Sequence, residues 1–283
     1  MKLKNYQIDT VDTGIFFLDG GAMFGVVPKV MWSKAYNQGD EKNRIPLAAR
    51  PLLIRGEGKN ILVDTGNGIN YNEKILSIYG IDREKSDIAN SLKPFDLKPE
   101  DISDVILTHL HFDHCGASTI IRNGEFEPAF VNAKYYIQKE HLKWAKNPNM
   151  KDSASFIPEN FIPIDSNGLF EQLDGEGEVF PGISVIPVNG HTPSMQMVKI
   201  SDGSDTILYC ADLAPTSAHL RYTFGLAYDN LPLTTIEEKI KYLPQAYEEK
   251  WTIVFEHDAF IQAGKLKSGD KGFELDEAIK ITV

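Results

Sequence analysis

The sequence has few of the features that mark secreted, membrane-embedded or polyanion-binding proteins. It contains only 2 cysteines in 283 residues, Cys115 and Cys210, which is too few for a disulfide framework and indicates a reducing compartment. No apolar run approaches the ~18 residues of a membrane-spanning helix. The first residues lack the apolar core of a signal peptide. We therefore expect a cytoplasmic protein with no membrane partner.

Positive charge is also scarce. Lys and Arg number 29 against 40 Asp and Glu, a formal net charge of -11, and the sequence shows no basic cluster. This charge repels polyanions in bulk, so a nucleic-acid partner is not expected. The hydrophobic fraction of 42% is that of a chain able to fold around a sizeable core.

What the sequence does contain is a cluster of histidines directly after an apolar, β-rich run at 105–107. The cluster consists of His109, His111, Asp113 and His114. Side chains two apart point the same way in an extended segment, so the first two can bind one ion. The last two follow where the chain turns, and can face a second ion. Imidazole and carboxylate groups without thiolate are typical of catalytic metal sites. The alternative, histidines that form ordinary hydrogen bonds in a loop, would explain a single histidine but not this cluster.

Three further apolar runs each end at a residue of the same kind. Residues 183–188, 206–210 and 251–255 are followed by His191, Asp212 and His257. In α/β folds, functional residues gather beyond the carboxyl ends of strands. We therefore expect all these side chains to belong to one site.

This pattern resembles the signature of the metallo-β-lactamase fold hydrolases. Besides the histidine cluster, four further pieces occur in order over roughly residues 50 to 260: Asp64 in Val-Asp-Thr-Gly, Gly190-His191-Thr192, Ala211-Asp212 and Glu256-His257-Asp258. The resemblance implies an α/β fold, the four-layer αβ/βα sandwich of this family, and a metal-dependent hydrolase.

The resemblance also implies two divalent metal ions, with Zn as the expected metal and Fe, Mn or Co as alternatives. The expected ligands are His109, His111 and His191 for one ion, Asp113, His114 and His257 for the other, and Asp212 as the bridge. Asp113 and Asp212 are the expected catalytic residues. Asp64 would orient a histidine ligand, with a turn-forming role as the alternative. A hydroxide that bridges the ions would be the nucleophile.

Three stretches, 18–25, 211–219 and 255–258, look most similar to the N-acyl-homoserine lactone lactonases and the methyl parathion hydrolase branch. We therefore expect a lactone or related ester hydrolase with a small-molecule substrate, N-acyl-homoserine lactones foremost, and a role in quorum quenching. A phosphotriesterase (organophosphate hydrolase) is the alternative. An oxygen-using iron enzyme departs from this ligand set. A non-enzymatic metal-binding module would need a closed site, whereas seven ligands on two ions leave positions for water.

The residues that contact substrate are harder to assign. Short-form lactonases carry a Tyr three positions after the bridging Asp, and this sequence has Pro215 there. Candidates to replace it, with packing as the alternative for each, are His219, Tyr222 and Tyr228.

A glycine-rich stretch at 19–29 is predicted to be a loop that displays apolar side chains, including Met23 and Phe24, to an acyl substrate. His141 lies in a predicted helix over 139–145 and is expected to be a surface or packing histidine.

We expect a single domain over residues 1–283. Two β/α halves, roughly 1–121 and 179–283, would be separated by a middle excursion, 122–178, in which 147–161 is predicted to lie on the surface. Local patterns predict a hairpin over 51–64, helices over 72–80 and 84–92, and a later helix opened by the capping box Thr234-x-x-Glu237. The sequence leaves the oligomeric state open, with a homodimer as one option.

Overall fold

Apolar, β-rich segments of this chain assemble into two seven-stranded sheets. The structure is a computed structural model that describes residues 1–3 and 5–282. Chain contacts divide it into two units. Unit 1 comprises Met1–Phe16, Ala48–Asp174 and Thr282, and unit 2 comprises Phe17–Leu47 and Gly175–Ile281. The single domain expected from the sequence stays a prediction.

The strands are numbered in chain order: β1 (Lys2–Leu3), β2 (Tyr6–Thr10), β3 (Ile15–Asp19), β4 (Arg44–Ala48), β5 (Leu52–Gly56), β6 (Lys59–Val63), β7 (Asp104–Ile106), β8 (Thr119–Arg122), β9 (Glu125–Pro128), β10 (Lys134–Gln138), β11 (Phe170–Leu173), β12 (Gly177–Phe180), β13 (Ile183–Val188), β14 (Met195–Ser201), β15 (Thr206–Tyr209), β16 (Thr252–Val254), β17 (Ala263–Gly269) and β18 (Gly272–Ile279). The α-helices are α1 (Gly20–Phe24), α2 (Lys29–Ala35), α3 (Glu73–Tyr79), α4 (Ile88–Leu92), α5 (Phe112–Cys115), α6 (Lys139–Lys146), α7 (Ile162–Ser166) and α8 (Pro232–Glu248). Short pairs β3–β4 and β8–β9 lie outside the large sheets.

The sheet of unit 1 has the order β1-β2-β5-β6-β7-β10-β11. Its last four strands are parallel. Because carboxyl ends of parallel strands meet at one edge of a sheet, the segments after β6, β7 and β10 lie at the same edge. Those segments carry Asp64, the histidine cluster and His141. The sheet is held by a core in which Leu62, Val105 and Tyr135 are fully buried.

The sheet of unit 2 runs in sequence order from β12 to β18. β13 and β15 are each antiparallel to β14, and β15 is parallel to β16 with α8 in the connection. β13, β15 and β16 therefore run in one direction. The residues that follow them, including His191, Asp212 and His257, come from the same edge.

The fold class predicted from the sequence is confirmed, since the chain is mixed α/β with two large sheets. The hairpin over 51–64 is confirmed as β5–β6. The helix over 72–80 is confirmed as α3, with Asn72 as its N-cap and Gly80 as its left-handed C-cap.

Three local predictions differ from the structure in whole or in part. The stretch at 19–29 is not a loop throughout, because Asp19 accepts from the Ala22 backbone N–H and starts α1. The capping box at Thr234 does not form, because α8 begins two residues earlier, at Pro232, where proline's fixed φ favours a helix start. The helix over 84–92 is confined to α4, which Asp87 caps.

The predicted surface excursion at 147–161 is also wrong in part. Phe156, Asn160 and Phe161 are buried, and both phenylalanines belong to the core of unit 1. Among the residues that the structure describes, no helix is both long and apolar enough to span a bilayer.

Replacement of Gly190 by alanine should create a steric clash with α8. A Cβ at Gly190 would lie 2.3 Å from Thr235 Oγ1 and 2.4 Å from the Thr235 backbone N, in the first turn of α8. Gly190→Ala should therefore lower the free energy of unfolding by about 1–3 kcal/mol. Urea unfolding of the metal-free protein measures this. Gly177→Ala is the control, because a Cβ there meets nothing within 4 Å. An equal effect of both variants would contradict the steric argument.

Candidate metal-ligating residues

In unit 1, the segment after β7 places two histidine rings together. His109 Nε2 lies 3.1 Å from His111 Nδ1, and both side chains are buried. Two ligands of a tetrahedral Zn, each at ~2.0–2.1 Å, would lie about 3.3 Å apart. The pair therefore has the spacing of two ligands on one ion.

Asp113 and His114 come one turn later, in the short helix α5. Both are buried. His114 Nε2 lies 3.9 Å from Asp113 Oδ1, so these two groups also lie close to each other.

Asp64, at the end of β6, orients two of these histidines. Its Oδ1 accepts from the Thr108 backbone N–H, and its Oδ2 accepts from the Thr108 hydroxyl, both at 2.7 Å. Oδ2 also lies 3.1 Å from His114 Nδ1. Since the Thr108 hydroxyl donates to Asp64, it can accept from His109 Nδ1, at 3.0 Å. Both rings then carry their proton on Nδ1 and direct the lone pair of Nε2 outward, as metal-binding histidines do.

In unit 2, the carboxylate of Asp212 faces two histidines. Its Oδ2 lies 3.1 Å from His191 Nε2, and its Oδ1 lies 3.2 Å from His257 Nε2. Each oxygen thus faces a different histidine, which is compatible with a carboxylate shared between two ions.

Asp229 is the unit 2 counterpart of Asp64, and the sequence did not reveal it. Its Oδ1 lies 3.0 Å from His191 Nδ1, so that nitrogen donates and Nε2 holds the lone pair toward Asp212. Two acceptor atoms 3.1 Å apart attract each other only when a proton or metal ion lies between them. The donor set therefore fits a cation. No spacing rule links residues 191 and 229, so a sequence pattern cannot pair them.

Two carboxylates, those of Glu238 and Asp258, accept hydrogen bonds in or next to the loops that carry His191 and His257. Glu238 on α8 accepts from the backbone N–H groups of Asn189, at 2.6 Å, and Gly190, at 3.1 Å, and burial raises the pKa of this carboxyl. Asp258 accepts from the Ser217 backbone N–H and hydroxyl, at 2.9 and 2.7 Å.

Sequence comparison identifies the family. The profile of the Metallo-beta-lactamase superfamily matches residues 46–276. The chain belongs to this superfamily. A relative described as an N-acyl homoserine lactonase from Bacillus sp. is 29% identical over 219 residues, which is 73% of this chain and 79% of the relative.

Two solved structures share the fold of this chain. A probable metal-dependent hydrolase from Staphylococcus aureus superposes with a TM-score of 0.88 at 32% identity, covering 99% of this chain and 100% of that one. AidC, a dizinc quorum-quenching lactonase in complex with a product, superposes with a TM-score of 0.82 at 22% identity, covering 99% and 97%, and shows the shared fold. The family predicted from the sequence and the predicted enzyme class, a metal-dependent hydrolase, are confirmed.

The apolar residues proposed to contact substrate in this metallo-β-lactamase protein are buried in unit 2. Phe24 stacks on Trp32 at a centroid distance of 5.5 Å and on His219 at 4.6 Å. The Met23 carbonyl accepts from His219 Nε2 at 2.8 Å. Packing alone thus accounts for the Phe24 ring. Substrate contact by Met23 and Phe24 stays a prediction.

Both ring nitrogens of His219 have hydrogen-bond partners within the protein. Its Nδ1 lies 2.7 Å from Thr216 Oγ1, and Nε2 donates to Met23. Burial lowers the pKa of His219 to about 3, so the ring is neutral. Tyr222 and Tyr228 are half-buried, and Tyr222 packs edge-on against Phe273. Their roles toward substrate stay predictions.

A buried lysine is a second feature that the sequence did not reveal. Lys239 on α8 is fully buried, and its Nζ donates to the Phe224 carbonyl at 2.7 Å. Burial lowers its pKa to about 8, against the attraction of the nearby Asp229 carboxylate. This ammonium holds the segment 224–229, from which Asp229 reaches His191.

Asp229→Asn should lower metal affinity about 10- to 100-fold, because the amide weakens the orientation of His191. The measurement is competition between the metal-free protein and a chromophoric chelator for Zn. Asp104→Asn is the matched control. Asp104 is equally buried, but its partners are Lys59, Ser103 and Tyr136. Wild-type affinity in Asp229→Asn would refute the orienting role.

Proposed function

We propose that this superfamily hydrolase is a lactonase that uses two divalent metal ions, Zn foremost, and that its substrates are N-acyl-homoserine lactones. One observation carries the proposal: the two oxygens of Asp212 lie within 3.2 Å of the nitrogens of two different histidines. The substrate class is supported by relatives named N-acyl homoserine lactonase, at up to 29% identity.

The residues that would hold the two ions are His109, His111 and His191 for one, and Asp113, His114 and His257 for the other, and Asp212 would contribute to both. The orientation of His114 by Asp64 and of His191 by Asp229 supports this set. When bound, such ions polarise a carbonyl and lower the pKa of a water to near neutrality.

The reaction is the addition of one water across the ring ester. The water oxygen bonds to the carbonyl carbon, and the bond from that carbon to the ring oxygen breaks. We assign Asp113 to accept the proton of the water and return it to the departing ring oxygen. The product is an N-acyl-homoserine, with one new carboxyl and one new hydroxyl group.

Contact with the substrate carbonyl is proposed for Tyr228. Pro215 has no hydroxyl, and both nitrogens of His219 are engaged within the protein. Tyr228 directly precedes Asp229, whose carboxylate orients His191. The backbone of Tyr228 therefore belongs to the segment that positions a proposed metal ligand.

For the acyl chain, we propose an apolar wall formed by Val26, Val27 and Met31. These residues line a groove of about 380 Å³ in unit 2, together with apolar Pro28 and Phe224 and with polar Arg221, Thr223, Asp270, Lys271 and Glu274. Val26 is 96% exposed. Unlike the ring of Phe24, its side chain is available to a ligand.

We further propose that the protein acts in the cytoplasm and has no nucleic-acid partner. Both cysteines are free and buried, which suits a reducing cytoplasm, and the net charge of -11 disfavours a nucleic-acid partner. A homodimer and a role in quorum quenching complete the proposal.

The proposed metal stoichiometry is two ions per chain. Elemental analysis of gently purified protein, with stepwise reconstitution, should show activity that rises until two equivalents are bound. Two ions are expected because six ligands divide between two groups and Asp212 offers one oxygen to each. Full activity at one equivalent would rule out the dinuclear assignment.

The proposed substrate is tested with lactones of increasing acyl length, aryl esters and phosphotriesters. Each CH₂ that becomes buried contributes at most ~0.8 kcal/mol, so kcat/KM should rise up to about fourfold per methylene until the wall is covered. Val26→Ser and Met31→Ser should flatten this rise.

Two controls accompany this assay. Met150→Ser removes an apolar side chain that is 98% exposed in unit 1 and should leave the profile unchanged. Asp212→Asn should abolish turnover of every substrate. A flat profile, together with faster turnover of phosphotriesters than of lactones, would favour the alternative function, phosphotriester hydrolysis.

A further inference from the structure

Of the two roles that the sequence predicted for His141, on the surface or in packing, the structure excludes the first, because the side chain is buried. His141 lies in the first turn of α6 in unit 1, and its exposed fraction is 0%. Its Nε2 accepts from the backbone N–H of Leu110 at 2.9 Å. Leu110 is the residue between His109 and His111, so this hydrogen bond holds the middle of the ligand-bearing segment.

The ring of His141 also packs against the same segment. It lies edge-on to His109, with a centroid distance of 6.1 Å and an interplanar angle of 83°. Phe156 lies 5.9 Å from the His141 ring and 4.6 Å from the His111 ring. His141 and Phe156 thus contact both ligand rings from within unit 1.

The hydrogen bond requires one protonation form of His141. A backbone N–H needs a lone pair, so Nε2 carries no proton and the neutral ring has its proton on Nδ1. Without this acceptor, the Leu110 N–H would be buried without its partner. The backbone would then gain freedom at the point that sets the 3.1 Å spacing of His109 Nε2 and His111 Nδ1.

We propose that His141 is a positioning residue, which holds His109 and His111 at metal-binding spacing through the Leu110 N–H. This inference rests on the proposed metal-dependent function. It predicts that the acceptor atom, rather than the bulk of the side chain, determines metal affinity. Outer partners of metal ligands contribute about 10- to 100-fold to affinity in other proteins.

The test compares two variants. His141→Leu removes the acceptor, and His141→Gln places a side-chain carbonyl oxygen in reach of Leu110. Zn affinity of the metal-free proteins is measured by chelator competition, and their stability by urea unfolding. His141→Leu should bind Zn about 10- to 100-fold more weakly, and His141→Gln should restore most of the loss. Wild-type affinity in His141→Leu, or no rescue by His141→Gln, would overturn the proposal.

Leu142→Ala controls for general destabilisation, because Leu142 is a buried neighbour on α6 that belongs to the core of unit 1. Leu142→Ala should lower the stability of the protein but leave its Zn affinity unchanged. If it lowered the Zn affinity as much as His141→Leu does, the proposal would be overturned.

If His141→Leu does not fold, nitrogen-15 NMR of the wild-type imidazole decides. A proton on Nδ1 supports the proposal and a proton on Nε2 overturns it. Wild-type protein that binds no Zn would refute the proposed function instead, a result distinct from equal binding by wild type and variant.

Discussion

The carboxylate of Asp64 is the constraint on which the ligand segment of unit 1 depends. It accepts from Thr108 twice and from His114 once, so it ties the end of β6 to the start and to the end of the histidine cluster. Asp64 does this with a φ of 58°, a left-handed conformation that aspartate tolerates better than most residues. Local backbone strain is thus accepted where it aims a carboxylate at Thr108 and His114.

In unit 2, a buried carboxylate also orients a histidine. Asp229 orients His191, and Lys239 holds the segment from which Asp229 projects. A buried lysine and a buried carboxylate are costly to desolvate, but a satisfied polar network of this kind holds its members in one arrangement. Ala211, directly before Asp212, has a φ of 46°, so unit 2 also has an unfavoured backbone conformation next to one of its buried carboxylates.

Patterns within a few positions predict several elements of this fold, whereas contacts between distant residues leave no such pattern in the sequence. The histidine cluster, the hairpin over 51–64 and α3 depend on neighbours within a few positions, so strand periodicity and caps predict them. Asp229 and His141 act on residues 38 and 31 positions away, and only the strand order brings such pairs together. The start of α8 was misplaced because Pro232 competed with a plausible capping box. A glycine-rich stretch likewise does not reveal that the Phe24 ring stacks on Trp32 and His219.

The spacing of the ligands along the chain gives the two units different folding histories. In unit 1, four candidate ligands lie between positions 109 and 114, so their approach requires almost no loop closure. In unit 2, His191 and His257 are separated by 66 positions (257 minus 191), and they meet Asp212 only after β13 to β16 have paired. Such non-local pairing forms late and slowly. A metal ion present during synthesis would therefore encounter a ready binding segment in unit 1 well before the carboxylate of Asp212 has been translated.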